Sequence, residues 1–314
     1  MRFKIMIPFF AVALIASASL VARAQDEEEA VRGSFLTTRT KVSSGSGTTV
    51  SQSVSIGQTT SGQKTGKSGK SSKGSSGKTS VGMSGSVKGS TGKTGGSVKG
   101  TASVNTYVPS AIGLGYTLYM RDTNGNAVRV DPSQEFHAGD RIRLSLETNT
   151  DGYLYIFHTE NDGTPVMLYP DVRLQKGENH IQAHVPYEIP WNEPGMENWF
   201  KFDENPANER LYVVVTRQPL PGIPVGQALV NYCGQNRCPW QPPATAWVQV
   251  KAGMQGKVGI VKGSGYGQKQ TSVEREATTR GLGLDQSAPE PSVIRMNVSS
   301  NAPILVTAVD LIHK

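Results

Sequence analysis

Between Ser43 and Thr101 the chain runs for 59 residues, of which 49 are serine, glycine, threonine or lysine. A stretch so poor in apolar side chains cannot bury enough surface to offset the entropy of ordering itself, so it reads as disordered. It confines folding to what lies on either side, a short segment at 25–42 and a longer one at 107–314, with 43–106 as a basic linker. The charge pattern follows the same division. Residues 31–121 carry twelve basic side chains and no acidic one, so that a chain of formal charge +7 has a foldable part, residues 122–314, of charge −4. The overall basicity belongs to the linker, and the sequence gives no grounds for a specific nucleic-acid interface. Four Gly-Lys-Ser/Thr triplets in the tract lack the upstream glycine that a phosphate-binding loop needs. The recurrence of Gly-Ser-Val-Lys-Gly at 85–89 and 96–100 is read as low complexity rather than as a structural repeat.

At the amino terminus Arg2 and Lys4 precede an apolar run from Ile5 to Val21 and then Ala22-Arg23-Ala24. This is the pattern of a cleavable export signal, with the cut expected between Ala24 and Gln25 and a secreted or periplasmic product. A retained anchor is the alternative, but the run falls short of the roughly 20 residues that span a bilayer, and no later segment reaches that length. In an exported chain the only two cysteines, Cys233 and Cys238, are expected to form a disulfide. Closing so short a loop contributes about 2 kcal/mol in the chain-entropy estimate, enough to shape a local feature.

From Tyr107 onward short β signals follow one another. Tyr116–Met120 leads through Asn124-Gly125 to Ala127–Val130, a hairpin pattern. In 141–147, Ile142, Leu144 and Leu146 alternate with Arg141, Arg143, Ser145 and Glu147, which predicts a half-buried strand. In 153–157 both faces are apolar, which predicts a central strand. Asn161-Asp162-Gly163 turns the chain onto Val166–Tyr169, and further strands are expected at 180–185, 199–202, 211–216 and 304–312. Many short strands with no clear helical period argue for an all-β, antiparallel, immunoglobulin-like sandwich with few helices, preceded by a disordered Gly/Ser/Lys-rich stalk. Its parts read as a core at 107–220, an extension with the cysteine loop at 221–262, a disordered loop at 263–293 and closing strands at 294–314.

Several of these residues also carry a resemblance. Ala138-Gly139-Asp140, Thr150-Asp151-Gly152-Tyr153-Leu154-Tyr155-Ile156, Asp162-Gly163, Leu168-Tyr169-Pro170, Asn179-His180-Ile181, Ile189-Pro190 and Asn208-Glu209-Arg210-Leu211 together resemble the bacterial envelope family known as domain of unknown function 4384, over residues 107–220. The tail Val306–Lys314 is similar to the closing strand of secreted members. Members often have a glycine just before the position of Glu209, where this chain has Ala207-Asn208. The resemblance implies a small non-catalytic module, joined elsewhere to peptidase or kinase domains, and brings no active site and no cofactor with it.

The residues themselves specify no reaction either. His180 and His184 are about 13 Å apart if both lie on one strand, too far to share a metal easily, and read as solvent-facing. His158 ends an apolar strand and reads as a boundary residue; His137 and His313 have no evident partner. Asp151 and the pair Glu160/Asp162 could meet at one end of the sandwich and hold a cation. No nucleophile elbow or dinucleotide fingerprint is present. The one binding surface the sequence suggests is aromatic: Tyr187, Trp191 and Trp199 in or beside a proline-rich stretch, residue types that anchor protein partners or stack on sugars. The expected function is therefore interaction or scaffolding at the cell envelope, with a protein partner and without catalysis. The alternative is binding of an anionic glycan or cell wall through the aromatic surface and the tract lysines. Whether 25–42, with Val31, Phe35 and Leu36 as its apolar points, docks as a peptide is left open by the sequence.

Overall fold

The computed structural model describes residues 25–41, 109–190, 198–235 and 237–314, all within one compact unit. The expected signal and its Ala24/Gln25 junction, the linker at 43–106 and Trp191 lie outside the described residues, apart from Gln25 itself. Two sheets face each other. The first has the order β11 (Val258–Lys262), β12 (Val293–Asn297), β1 (Gly113–Arg121), β4 (Arg141–Thr148), β8 (Tyr187–Ile189), with β2 (Ala127–Val130) on β1 and β9 (Phe200–Lys201) on β4. The second has the order β3 (Glu135–Phe136), β13 (Ile304–His313), β10 (Ala207–Thr216), β5 (Gly152–Glu160), β6 (Val166–Tyr169), with β7 (His180–Ile181) on β5. All pairings are antiparallel except β13 with β3. The chain thus forms the expected two-sheet sandwich, and its main core, with Leu118, Leu144, Leu154, Ile156 and Val213, lies between the sheets.

Local chemistry sets the register. Asp122 accepts from the backbone N–H groups of Asn124 and Asn126 while Gly125 takes φ +83°, closing the β1–β2 hairpin where the Asn-Gly pair predicted it. Strand β5 lies between β10 and β6, so its two apolar faces are both used: Leu154 and Ile156 point to the other sheet, while Tyr155 and Phe157 point outward. That outward face is covered by two helices within the 221–262 extension, α2 (Gly226–Cys233) and α3 (Ala244–Gly253), through Leu229, Ala246 and Val250, and by Trp240 of the connection between them.

The opposite flank departs further from expectation. Strand β4 is not half-buried: Arg143 is 1% exposed and Glu147 4%. A helix, α1 (residues 25–36), and a strap through Lys41 lie over the first sheet, together with the segment 263–293. That segment was expected as a disordered loop, and instead carries α4 (Ser272–Arg280), with a capping box between Thr271 and Glu274 and a left-handed Gly281 at its end. Among the described residues there are therefore four α-helices, because both outer sheet faces carry residues that require cover.

What lies beneath the strap is a layer of arginine–glutamate pairs. Arg39 donates from Nε and Nη2 to Glu147 at 2.8 and 2.7 Å, and from Nη1 to the carbonyl of Ala288 at 2.9 Å. Arg143 pairs with Glu188 at 3.1 Å, and Arg129 pairs with Glu274, which also accepts from the Tyr119 hydroxyl at 2.8 Å. Burial first, then the nearby Glu274 charge, push the Tyr119 phenol well above its ordinary value. The buried outward charges Arg129, Arg143 and Glu147 of the first sheet are thus each answered by an opposite charge.

Candidate functional site

Three cavities meet at one edge of the sandwich, and Leu168 of β6 lines all of them. The first, about 270 Å³, opens between the sheets, with Ile142, Leu168, Leu211 and Leu311 as apolar walls and His158, Glu160, Glu209, Lys201 and Asp203 also lining it. The second, about 550 Å³, is bounded by Ile189, Pro190, Trp199, Phe200 and Pro239. The third, about 440 Å³, is bounded by Pro170, Leu229, Trp240, Pro239 and the cysteine pair. Asp171 and Arg173 line the second and third together, so the three form a groove around β6.

The position of β6 explains the groove. It is a short edge strand, offset against β5 by an irregularity at Ile156/Phe157, and followed by a cis Tyr169–Pro170 bond. Its outward N–H at Met167 donates to the carbonyl of Trp240 at 2.8 Å, so the edge is closed at that point by the protein's own backbone. Cys233 and Cys238 are bonded to each other, as expected, and their loop leads into Pro239 and Trp240, which form one wall. On the rim, Arg173 donates to Asp171. Burial raises the Asp171 carboxyl and the bonds from Arg173 outweigh it, leaving it below the ordinary aspartate value.

Of the two described aromatic residues among those singled out in the sequence, Trp199 lines the groove and Tyr187 does not. One face of its indole is covered by the Arg143 guanidinium, 4.4 Å from the ring centroid, and its buried N–H finds no acceptor among the described residues. Tyr187 is part of the core. It sits directly opposite Leu146 in the β4–β8 pairing, which turns its ring between the sheets, and its hydroxyl accepts from the N–H of Gln182 at 3.1 Å. Burial pushes this phenol up as well. The proline-rich surroundings that suggested an exposed platform instead begin just after it. Phe200, Pro239 and Trp240 also belong to the groove; in the sequence Trp240, like Trp247, flanks Pro242-Pro243 after the cysteine loop and is as ambiguous between surface and core as Trp191 and Trp199.

The histidines are distributed differently from expectation. His184 is buried under the strap rather than solvent-facing, donating or accepting between Glu147 and the Thr38 hydroxyl, each at 2.7 Å, in a backbone conformation with φ +59°. His180 is exposed beside Tyr153. His158 is paired with Glu209 in the first cavity. His313 is buried against Phe202, and His137 lies in an exposed turn where its backbone N–H donates to Asp140. Asp151 and Glu160 lie at opposite ends of β5, so the cation site imagined between them does not form. Among the described residues no group of three or more His, Cys, Asp or Glu is placed to hold a metal ion. No helix of the described residues is long and apolar enough to cross a membrane.

Comparison with known families gives one match. Residues 135–219 match the model of the family described as Domain of unknown function (DUF4384). The match runs from β3 to just past β10 and leaves out β1 and β2, so it is shorter than the resemblance read from the sequence. It contains β6, Trp199 and the carboxylates of the first cavity, while the wall made by Leu229, the cysteine pair, Pro239 and Trp240 lies outside it. No curated protein and no solved structure matches the chain.

Proposed function

We propose that this chain is an exported, non-catalytic partner-binding module of the cell envelope, and that the groove around β6 receives an extended segment of another protein. The observation that carries this reading is the meeting of three cavities on Leu168, walled by Trp199, Phe200, Pro239 and Trp240, with the Asp171–Arg173 pair on the rim. Aromatic, proline and arginine side chains around a concave apolar surface are the usual anchors of a protein interface. The Cys233–Cys238 bond supports the reading twice: it holds one wall in place before any partner arrives, and it suits an oxidising compartment. The glycan alternative has weaker support, since sugar stacking needs an open ring face, and Arg143 occupies one face of Trp199 while Tyr187 is in the core.

The test is cross-linking affinity capture from the native envelope with the full chain, alongside Trp199→Ala and Arg173→Glu. Arg173 is 83% exposed in its side chain, so the second change leaves the fold intact. A stoichiometric protein retained by the unaltered chain and lost or weakened at least tenfold by both changes is the expected result, since a central interface anchor is commonly worth 2 kcal/mol or more, roughly 30-fold. Retention that ignores both changes, or recovery of wall material alone, would overturn it.

A further inference from the structure

The first cavity holds an electrostatic arrangement that the sandwich itself does not require. Residues of β5 and β10 that share parity with Ile156 and Val213 point between the sheets, and near the open end these are His158, Glu160 and Glu209. Glu160 and Glu209 are direct cross-strand partners. Two like charges in that relation destabilise a sheet, because their Cβ atoms are only about 5 Å apart. His158 answers Glu209, but Glu160 makes no ion pair with any described residue. Asp203 lines the same space from the opposite side, and Lys201, which also lines it, pairs with none of these carboxylates. Behind them the walls are aliphatic, Ile142, Leu168, Leu211 and Leu311. An apolar shaft leading to a mouth with three carboxylates against one lysine and one histidine complements a cation carried on an aliphatic stem, which buries its methylenes and keeps its charge at the rim.

We propose that this cavity is the specificity subsite of the groove and takes a lysine or arginine side chain of the bound partner segment. The proposal rests on the partner-binding reading and adds the chemistry of the segment: extended, apolar where it meets Trp199 and Pro239, and basic where it reaches the end of the sandwich.

The full chain, labelled with ¹⁵N, is titrated with n-butylammonium and with n-butanol, which share the stem and differ in charge, while the Leu168 and Leu211 amides are followed. Saturable shifts with the ammonium, at least tenfold weaker with the alcohol, are expected, and Glu160→Gln should weaken the ammonium about tenfold, the value of one charge-assisted contact. Glu160→Lys, at an exposed position, should abolish it by placing a cation in the mouth. Equal response to alcohol and ammonium, or none to either, overturns the assignment. A Gly-Ser-Val-Lys-Gly peptide, the sequence at 85–89 and 96–100, is titrated in parallel. If it saturates the same shifts at least tenfold more tightly than a Gly-Ala-Ala-Lys-Gly control, the protein's own tract displaces a foreign partner as occupant and the proposal falls. The amine titration needs no captured partner, so it fails or succeeds separately from the groove reading. A captured protein still held by Glu160→Lys but lost by Trp199→Ala would leave the groove standing and remove this subsite.

Discussion

At the residue scale the molecule depends on Glu147, whose carboxylate accepts from Arg39 and from His184 in a place that water barely reaches. Burial alone would raise this carboxyl; the hydrogen bonds from His184 and Arg39, with the Arg39 charge, outweigh it and leave it below the ordinary glutamate value. A lowered folded-state value means stability that is present above the unfolded value of about 4.3 and is lost as pH falls through the folded one. Acid should therefore loosen the strap, and Glu147→Gln should remove that part of the pH dependence. The same substitution leaves Arg39 buried without a countercharge, so urea unfolding at pH 7 should show a loss of about 3–5 kcal/mol. A loss below about 1 kcal/mol would mean that the carbonyl of Ala288 and its neighbours suffice for Arg39. None of this was legible in the alternation of 141–147, which distinguishes the two faces of a strand but not whether the polar one meets water or a buried arginine.

At the element scale the most consequential piece is α1. Phe35 is fully buried, lying over Gly113 and Gly115 of β1 and packed with Val261 and Ile294, while Val31 lies over Gly259 of β11. These glycines serve close approach: a Cβ on Gly115 would come 2.4 Å from Pro291 Cγ and 3.1 Å from Phe35 Cζ. Gly115→Ala should cost about 1–3 kcal/mol by overpacking. Phe35→Ala should cost about 3–5 kcal/mol of docking, and hydrogen exchange would then show residues 25–41 losing protection while β5 and β10 keep theirs. Uniform loss across the sandwich would mean that the strap and the sheets unfold as one. The sequence did name Val31, Phe35 and Leu36 as the apolar points of this segment, but their destination is a slot built from strands more than 70 residues away. Helix α4 was more accessible, since Thr271-Ser272-Val273-Glu274 is a capping-box pattern. It was obscured by the polar composition of 263–293, whose order comes from Glu274 meeting Arg129 and Tyr119. Thr271→Ala should cost about 1 kcal/mol, measurable by thermal unfolding.

At the scale of the whole molecule, the tract at 43–106 leaves from a strap and returns to β1, and both belong to the same unit. Its two flanks are thus held together by Phe35, Arg39 and the bridge between Thr40 and Asp285, independently of the covalent path between them. A protease site placed at the middle of the tract should yield, on cleavage, an N-terminal piece that co-elutes with the sandwich on size exclusion and separates only in denaturant; separation in buffer would mean that the strap contacts are too weak to matter. By itself the sequence determined the two-sheet β architecture, the hairpin at Asn124-Gly125, the central place of β5, the cysteine pair and the division of charge, because each depends on side-chain alternation, turn chemistry or composition within a few residues. Only the tertiary structure decided that both outer faces are covered, that Tyr187 turns inward, that Trp199 and the cysteine loop meet across β6, and that Glu160 faces Glu209. Those depend on which strands become neighbours, and strand pairing is set by the summed burial of distant segments, which no local pattern encodes.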